Sequence, residues 1–249
     1  MNKILVCPVA FNEKSKIRDV IERYLKSGVC PRTDFLVVDD ASDDGTTEVI
    51  QGYAGRGVQL VKHDQRRGTG AAIRTAIHYA QRKGYEVLVI MAGNNKDNPD
   101  EIPRLLEPIL SGHYDFVQGS RYKKSQGMAA SAAVHGDMPL YRKVATRIHP
   151  WLMSCITGTK VTDSTNGFRA FRLSIFEDEK IDIDQSWLDH YELEPYLMYK
   201  AITLGYEFTE VPVTKVYPPR RYGYTKMRPV TGWWSILRPL VLLGLGFKK

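Results

Sequence analysis

The amino-acid sequence predicts an α/β fold in which a mixed, mostly parallel β-sheet carries helices on both faces. Short β-branched segments alternate with longer helical patterns through the first half of the chain, and this alternation is typical of a parallel sheet. The predicted strands are almost entirely apolar, as expected for strands that are covered on both sides. With 249 residues, 43% of them hydrophobic and 25% charged, the chain is long enough to form one domain with a substantial core.

The first strand and helix set the pattern for the rest. Residues 3–8 (KILVCP) are a short apolar run and predict a strand, and residues 13–26 predict a helix because Ile17, Val20 and Ile21 recur at the helical period. The same two patterns predict strands at 34–39, 57–63, 85–91 and 114–119, and helices from residue 46 and at 70–83, 102–110, 141–156 and 191–204. An alternating pattern predicts a last strand at 206–217, whereas residues 121–137 have no steady period and predict a mobile loop.

The C-terminal tail differs in composition from the rest of the chain. No repeat or linker divides the sequence, so we expect a single domain at residues 1–228 followed by an apolar tail at 229–249. The apolar stretch of the tail, residues 232–247, is shorter than the roughly 20 residues that span a bilayer, and Arg238 and Pro239 interrupt it. Two interpretations stay open: an interfacial helix in the lipid head-group region, or a helix that packs on the core or on a second subunit of a homo-oligomer.

An excess of basic side chains favours anionic partners. Lys and Arg total 35 against 28 Asp and Glu, a formal net charge of +7, which suits phosphates, nucleic acid or lipid head groups. Cys7, Cys30 and Cys155 have no CxxC spacing and no cluster with histidine, which disfavours a disulfide framework or a zinc site. The first apolar run is too short for a secretory signal. We therefore expect a cytoplasmic protein that is peripheral at the membrane if its tail binds lipid.

Polar residues follow four of the predicted strands, at the sheet edge where open parallel sheets bind their ligands. The segments are PVAFNE (8–13), DDASDDGT (39–46), AGNNKD (92–97) and GSRY (119–122). Each one alone is equally compatible with a helix cap or a turn. We expect Asp43 and Asp44 to cap the helix that begins near Thr46.

Taken together, these segments resemble a known family. The segments PVAFNE, VVDDASDDGT, RGTGAA and GSRY are followed by DSTNGFR (163–169), ELE (192–194), EVPV (210–213) and RRYGYTK (220–226). In this order they are similar to the inverting family 2 glycosyltransferases with a GT-A fold, and within them to the dolichol-phosphate mannose synthase and polyprenyl-phosphate glycosyltransferase branch. The likeness covers about residues 4–227. It implies a GT-A (Rossmann-like) fold and transfer of a hexose from a UDP- or GDP-sugar to a polyprenyl (dolichyl) phosphate.

The resemblance implies a set of residues that binds the donor nucleotide. The loop with Pro8, Ala10 and Glu13 and the neighbouring carboxylates Asp39 and Asp40 are expected to hold the base and the ribose. Carboxylates suit this role because they accept charge-assisted hydrogen bonds from base N–H and ribose O–H groups.

The RRGTGAA segment has two interpretations. It opens a helix with small residues, so Arg66 and free backbone N–H groups are placed to bind the donor diphosphate. Gly68 and Gly70 are equally well explained by close packing of that helix on the sheet.

The fourth strand end departs from the family pattern. There the resemblance implies a D-x-D-x-Q pattern whose carboxylates hold Mg²⁺ or Mn²⁺, but this chain has Ala92, Asn94 and Lys96 at the matching positions. A divalent site is therefore disfavoured, with Asp97 as the nearby acidic residue that is able to supply one ligand. We predict that the Lys96 ammonium replaces the metal at the leaving nucleoside diphosphate, and that Asn94 hydrogen-bonds the sugar or a phosphate. The rival interpretation is a solvated lysine in an inactive protein.

The expected acceptor side contains two carboxylates and four cations. Asp163 matches the acidic position of the family's D-x-T-x-G-F-R stretch and is the first candidate base or acceptor-orienting group, although a turn acceptor explains it too. Glu194 is the second candidate base. A hydroxyl acceptor needs such a base, whereas a lipid phosphate is already ionised. The cations that the resemblance assigns to phosphate groups are Arg121, Arg169, Arg220 and Lys226.

Three other functions compete with the polyprenyl-phosphate transferase. The same donor domain serves equally for a protein, polysaccharide, small metabolite or nucleic-acid base as acceptor. A second alternative is an inactive module that binds nucleotide sugars. Direct nucleic-acid binding is the least favoured, because RRYGYTK is the one place where basic and aromatic residues interleave. The sequence does not predict the donor sugar, or whether the base is that of UDP or of GDP.

Overall fold

In the computed structural model, the described residues are 3–29, 32–123, 134–135, 140–217 and 231–248. Most of the loop predicted at 121–137 therefore lies outside the described residues. The two basic residues Arg220 and Lys226 lie outside them as well.

A seven-stranded sheet forms the centre of the fold. Its strands are β1 (Ile4–Ala10), β2 (Asp34–Asp39), β3 (Val58–Lys62), β4 (Val87–Ala92), β5 (Phe116–Ser120), β7 (Arg169–Arg172) and β8 (Phe208–Pro212). A separate pair is formed by β6 (Val134–His135) and β9 (Lys215–Val216), which run parallel. The strand order in the large sheet is β3-β2-β1-β4-β7-β5-β8, and β7 is antiparallel to both of its neighbours while the other pairs are parallel. The mixed, mostly parallel sheet predicted from the sequence is confirmed.

Two details of the sheet differ from the prediction. Strand β7 was missed because its four residues, RAFR, are too few and too highly charged to give a strand pattern. The single strand predicted at 206–217 divides into β8 and β9, which belong to different sheets. Strand β8 ends at Pro212, a residue that has no N–H to continue a strand ladder.

Helices cover both faces of the sheet, as the apolar strands predicted. They are α1 (Lys14–Lys26), α2 (Thr46–Gln51), α3 (Thr69–Arg82), α4 (Ile102–Leu110), α5 (Leu140–Thr157), α6 (Leu193–Thr203) and α7 (Thr231–Gly244). One core cluster joins the sheet to α3, α5, α6 and α7, and the other joins it to α1, α2 and α4. Helix α1, for example, packs through an apolar stripe of Ile17, Val20, Ile21 and Tyr24.

The start of α2 refines the expected caps. The N-cap position is Gly45, which has a left-handed φ of 92° and no side chain to act as a cap. Asp44 still provides a hydrogen-bond acceptor for the first turn of the helix, because its Oδ1 accepts from the Thr46 N–H at 3.0 Å. Asp43 does not cap the helix. Its carboxylate accepts from the Asn12 side-chain amide at 2.8 Å instead, and so ties the loops after β1 and β2 together.

The C-terminal tail forms a helix with two apolar faces. Helix α7 packs against α5 and α6, and Leu240 and Leu243 are buried there in the core. Its other face exposes Trp234 and Val241, and Leu245, directly after the helix, is exposed as well. The helix thus has the buried face that one interpretation of the tail required and the exposed apolar face that the other required. No helix within the described ranges has the length and apolar character needed to cross a bilayer.

Candidate active site

A cavity of about 410 Å³ lies at the carboxyl ends of β1 and β4. It brings together seven of the residues predicted for the site: Ala10, Glu13, Asp40, Arg66, Asn94, Lys96 and Glu194. The cavity wall does not include Pro8, Asp39, Asp97, Asp163, Arg121 and Arg169. Five of the seven residues predicted to bind the donor therefore converge, while Arg121, Asp163 and Arg169, predicted for the acceptor side, are not part of the cavity wall.

The loops that line the cavity have a constrained backbone. Asn12, Ala41 and Asn95, one after each of β1, β2 and β4, have positive φ angles of 52°, 60° and 57°. Non-glycine residues rarely adopt this conformation, and where they do it is often at a functional site. Hydrogen bonds from Asn12 N to Ser42 Oγ and from Glu13 N to Thr46 Oγ1, both 2.9 Å, hold the first two loops against each other.

The two neighbouring carboxylates after β2 have different surroundings. Asp39 is fully buried, and its oxygens accept from the hydroxyls of Ser42 and Thr47 at 2.5 Å. Asp40 lines the cavity and accepts from His63 Nδ1 and from the backbone N–H groups of Arg67 and Gly68, each at 2.8 Å. Burial acts to raise the pKa of Asp40, but these hydrogen bonds outweigh it and lower the pKa. Asp40 is thus an ionised carboxylate at the cavity, and contact of Asp39 with the donor stays a prediction.

The glycines of RRGTGAA are explained by packing, although the packing partner is not the sheet. A Cβ atom at Gly68 would lie 2.4 Å from the carbonyl oxygen of Asp189, and one at Gly70 would lie 1.9 Å from that of Leu188. Ala71 N donates to the same Asp189 carbonyl at 2.9 Å. Because the N–H groups of Arg67, Gly68 and Ala71 are all bonded within the protein, they are not open to a diphosphate. Arg66 is placed differently: it lines the cavity, with its guanidinium 4.1 Å from the Phe11 ring centroid.

The loop after β4 presents a lysine to the cavity and keeps its aspartate behind it. Lys96 is largely buried, with its Nζ 5.4 Å from the ring centroid of Tyr217. Asp97 accepts from Ala92 N at 2.9 Å through one oxygen and from Lys215 Nζ at 2.7 Å through the other. Lys215 also lines the cavity. Sequence reasoning missed it because a single lysine in the alternating segment VPVTKV has no distinguishing pattern.

The side chains of this loop do not suit a divalent ion. The two positions that carry the metal-binding carboxylates in the family pattern are the methyl group of Ala92 and the neutral amide of Asn94, and the cation of Lys96 stands at the position of the glutamine. The nearby carboxylate, Asp97, is already paired with an ammonium. Within the described part of the chain there is also no group of three or more His, Cys, Asp and Glu side chains that is able to hold a metal ion.

Asp163 is part of a buried ion pair. It is fully buried, and its two oxygens accept from Arg121 Nε and from Arg121 Nη2, each at 2.7 Å. Burial acts to raise the pKa of Asp163, but the charge and hydrogen bonds of Arg121 reverse this and lower it. Arg121 also donates to Tyr217 Oη at 2.8 Å. The side chains of Asp163 and Arg121 thus face each other. The role of Asp163 as a base and that of Arg121 as a phosphate ligand stay predictions.

Glu194 is the candidate base that lines the cavity, and Arg169 holds it in place. Arg169 is buried and donates to the Glu194 carbonyl at 2.9 Å and to Glu194 Oε1 at 3.1 Å. A third hydrogen bond joins it to the Asn166 carbonyl at 2.7 Å. Burial lowers the pKa of Arg169, and Glu194 opposes that effect. Arg169 therefore positions a cavity carboxylate, while its predicted contact with phosphate stays a prediction.

A buried histidine connects the DST segment to the C-terminal helix. His149 Nε2 lies 3.1 Å from the Ile236 carbonyl, and its Nδ1 lies 2.6 Å from Ser164 Oγ. A carbonyl oxygen only accepts, so Nε2 carries the proton and Nδ1 accepts from the serine hydroxyl. Ser164 and Ile236 both line the cavity, so helix α7 contributes to the site. Burial lowers the pKa of His149 to about 4.

We expect His149 to make the protein less stable in mild acid. Its pKa is about 4 in the folded protein and 6.5 as a free side chain, so the unfolded chain binds the additional proton below pH 6.5. The free energy of unfolding should therefore fall by about 2 kcal/mol between pH 7 and pH 5 on account of this one group. Urea unfolding at both pH values measures the effect. His149→Asn should remove that share of the pH dependence, and the exposed His113→Asn should not; equal pH dependence in all three proteins would refute the assignment.

The fold, with its cavity at the carboxyl ends of the strands, is that of a glycosyltransferase with a GT-A fold. Residues 6–179 match the family described as Glycosyl transferase family 2, and the chain belongs to that family. The family resemblance drawn from the sequence motifs is confirmed.

Two curated relatives and one solved structure are similar to the chain over most of its length. It is 29% identical over 228 residues to the polyprenol monophosphomannose synthase of Mycolicibacterium smegmatis, covering 90% of this chain and 81% of that protein. It is 30% identical over 230 residues to the undecaprenyl-phosphate mannosyltransferase of Micrococcus luteus, covering 90% and 87%. Among solved structures, glucosyl-3-phosphoglycerate synthase from Mycobacterium tuberculosis, in complex with Mn²⁺, UDP and phosphoglyceric acid, matches with a TM-score of 0.68 at 17% identity, covering 100% of this chain and 80% of that one.

Proposed function

We propose that the protein is an inverting glycosyltransferase that moves a hexose from a UDP- or GDP-sugar to a polyprenyl phosphate. The observation that carries the proposal is the cavity in which predicted donor residues, Asp40 and Arg66 among them, meet Glu194. Two relatives at about 30% identity, whose names specify polyprenol and undecaprenyl phosphate, support the acceptor class.

The ion pair of Asp163 with Arg121 is compatible with an acceptor that is already ionised. A phosphate oxygen of the lipid attacks the anomeric carbon from the face opposite the nucleoside diphosphate. The new carbon–oxygen bond forms while the bond to the diphosphate breaks, and its electron pair leaves on the β-phosphate oxygen. Such an attack needs no general base at neutral pH. Asp163, whose two oxygens bind Arg121, is then free to serve as the counter-ion of that arginine.

The leaving diphosphate requires positive charge, and Lys96 is our candidate source. Its side chain lines the cavity at the place where the family pattern has metal ligands. A largely buried ammonium stabilises developing negative charge more strongly than one in bulk water does. We therefore propose turnover that does not require a divalent ion.

The test is release of free nucleotide from a panel of UDP- and GDP-sugars in Mg²⁺, in Mn²⁺ and in EDTA, with and without a short polyprenyl phosphate. We expect release from at least one donor that depends on the lipid phosphate and persists in EDTA. Release that a hydroxyl acceptor supports and the lipid phosphate does not would point to another acceptor. Binding of a donor without release under any condition would point to an inactive nucleotide-sugar-binding module.

The proposal also includes membrane contact through the exposed apolar face of α7. Trp234 and Val241 are exposed on α7, Leu245 is exposed just after it, and Ile148 and Trp151 are exposed on α5, which packs against α7. Apolar and aromatic side chains on a surface helix with basic neighbours favour binding in the lipid head-group region.

We expect the protein to co-sediment with vesicles that contain anionic lipid. Trp234→Ala with Leu245→Ala should reduce the bound fraction several-fold, because each change removes apolar area from the exposed face, worth roughly 25 cal/mol per Å². Leu110→Ala is the matched control, since Leu110 is an exposed leucine at the end of α4. Equal co-sedimentation of all the variants would argue against binding through α7.

A further inference from the structure

Lys215 places a second fixed ammonium on the cavity wall. The residue is 8% exposed, and its Nζ donates to Asp97 Oδ1 at 2.7 Å and to Asn166 Oδ1 at 2.8 Å. Within the described part of the chain these are its two hydrogen-bond partners. An ammonium has three N–H donors, so one N–H remains for a ligand in the cavity that the residue lines.

Both acceptors of Lys215 are themselves fixed. The second oxygen of Asp97 accepts from Ala92 N at 2.9 Å, and the amide of Asn166 donates to the Gly119 carbonyl at 2.9 Å. The ammonium is thus held from two sides, by the loop after β4 and by the segment before β7. Its position is set before any ligand binds, which reduces the cost of ordering it on binding.

Lys215 and Lys96 reach the cavity from adjoining segments. Val216, the residue after Lys215, donates its N–H to the Lys96 carbonyl at 3.0 Å, so β9 lies directly beside the loop after β4. Both side chains line the same cavity. A departing nucleoside diphosphate carries more than one negative charge, and a single ammonium neutralises one of them.

We propose that Lys215 binds the diphosphate of the donor, and that Asp97 and Asn166 are positioning residues for its ammonium. The assignment rests on the proposed function, because it requires a nucleoside diphosphate in the cavity. It gives Asp97 a role other than metal ligation: the carboxylate offsets the desolvation of a buried ammonium and holds it at the wall. The competing explanation is an ion pair that merely joins β9 to the loop after β4.

Nucleotide affinities separate the two explanations. We would measure the Kd of UDP and GDP, of UMP and GMP, and of uridine and guanosine by calorimetry in EDTA, for the wild-type protein and for Lys215→Met and Lys215→Gln. For the nucleotide series that the wild type prefers, both variants should weaken diphosphate binding by about tenfold or more while nucleoside binding changes by less than about twofold, as expected for loss of one charge-assisted hydrogen bond. Glutamine keeps an N–H₂ group for Asp97 and Asn166, so a joining role alone would leave its diphosphate affinity unchanged.

Lys200→Met is the matched control. Lys200 is likewise a buried lysine, its Nζ donates to the Lys180 carbonyl, and it does not line the cavity. Its replacement should affect the diphosphate and the nucleoside alike. Equal losses for both ligands in the Lys215 variants, no loss in either, or failure of both variants to fold would overturn the assignment. Wild-type protein that binds neither UDP nor GDP would instead reject the proposed function itself.

Discussion

Replacing Lys96 with methionine should lower kcat by roughly 10²- to 10³-fold, the range seen when one preorganised group that stabilises transition-state charge is removed. Methionine keeps much of the length and apolar stem of lysine, so the change removes the charge with little loss of packing. In the proposed mechanism the Lys96 ammonium acts on the leaving diphosphate and not on the acceptor, so we expect the KM for the lipid acceptor to change little. Steady-state kinetics in EDTA, with the donor that the nucleotide-release panel identifies, measures the effect.

Two variants serve as controls for Lys96→Met. Lys96→Arg retains the positive charge and should recover part of the activity, although a guanidinium differs in shape from an ammonium. Lys62→Met removes an exposed lysine at the end of β3 and should leave kcat unchanged. Wild-type kcat in Lys96→Met, or wild-type turnover that depends entirely on added Mg²⁺ or Mn²⁺, would contradict the role proposed for Lys96.

Asp163→Asn should lower the free energy of unfolding by roughly 3 to 5 kcal/mol, because it leaves the buried Arg121 guanidinium without its counter-ion. If Asp163 were only a catalytic base, the variant protein would lose activity and keep its stability. Chemical denaturation at pH 7 distinguishes the two cases. The double variant Arg121→Gln with Asp163→Asn should recover part of the stability, since it buries no uncompensated charge.

The pH dependence of stability offers a second view of the Arg121–Asp163 pair. The pKa of Asp163 is lower in the folded protein than its ordinary 3.8, so the ionised carboxylate stabilises the fold at neutral pH. That contribution is lost as the pH falls below about 4. Asp64→Asn, at an exposed aspartate, is the control and should leave both the stability and its acid limb unchanged. A fully stable Asp163→Asn protein without activity would instead favour the role of base.

The carboxyl ends of β1, β2 and β4 could be located from the sequence because each apolar run ends abruptly in polar residues. The distinction between Asp39 and Asp40 was also within reach, since successive side chains at the end of a strand point to opposite faces of the sheet. Asp39 accordingly binds Thr47 of α2, while Asp40 faces the cavity.

Contacts between distant segments of the site could not be predicted from sequence patterns. Lys215 and Asp97 are 118 positions apart, and no local spacing connects them. The ion pair of Arg121 with Asp163 spans 42 positions in the same way. A motif tells which residue types are present, but pairing between distant segments decides which charges face a ligand and which face each other.

The contact between the start of α3 and residues 188–190 limits which segments of this protein can be replaced by those of a relative. Gly68 and Gly70 lie directly against the backbone of that segment, so neither segment has room for a different partner. A chimaera that imports the 66–72 loop of another glycosyltransferase to change donor preference would have to import the residues corresponding to 188–190 with it. Helix α6 begins at Leu193, shortly after His190, and carries Glu194 in its first turn. The two halves of the cavity are therefore exchangeable as a pair and not one at a time.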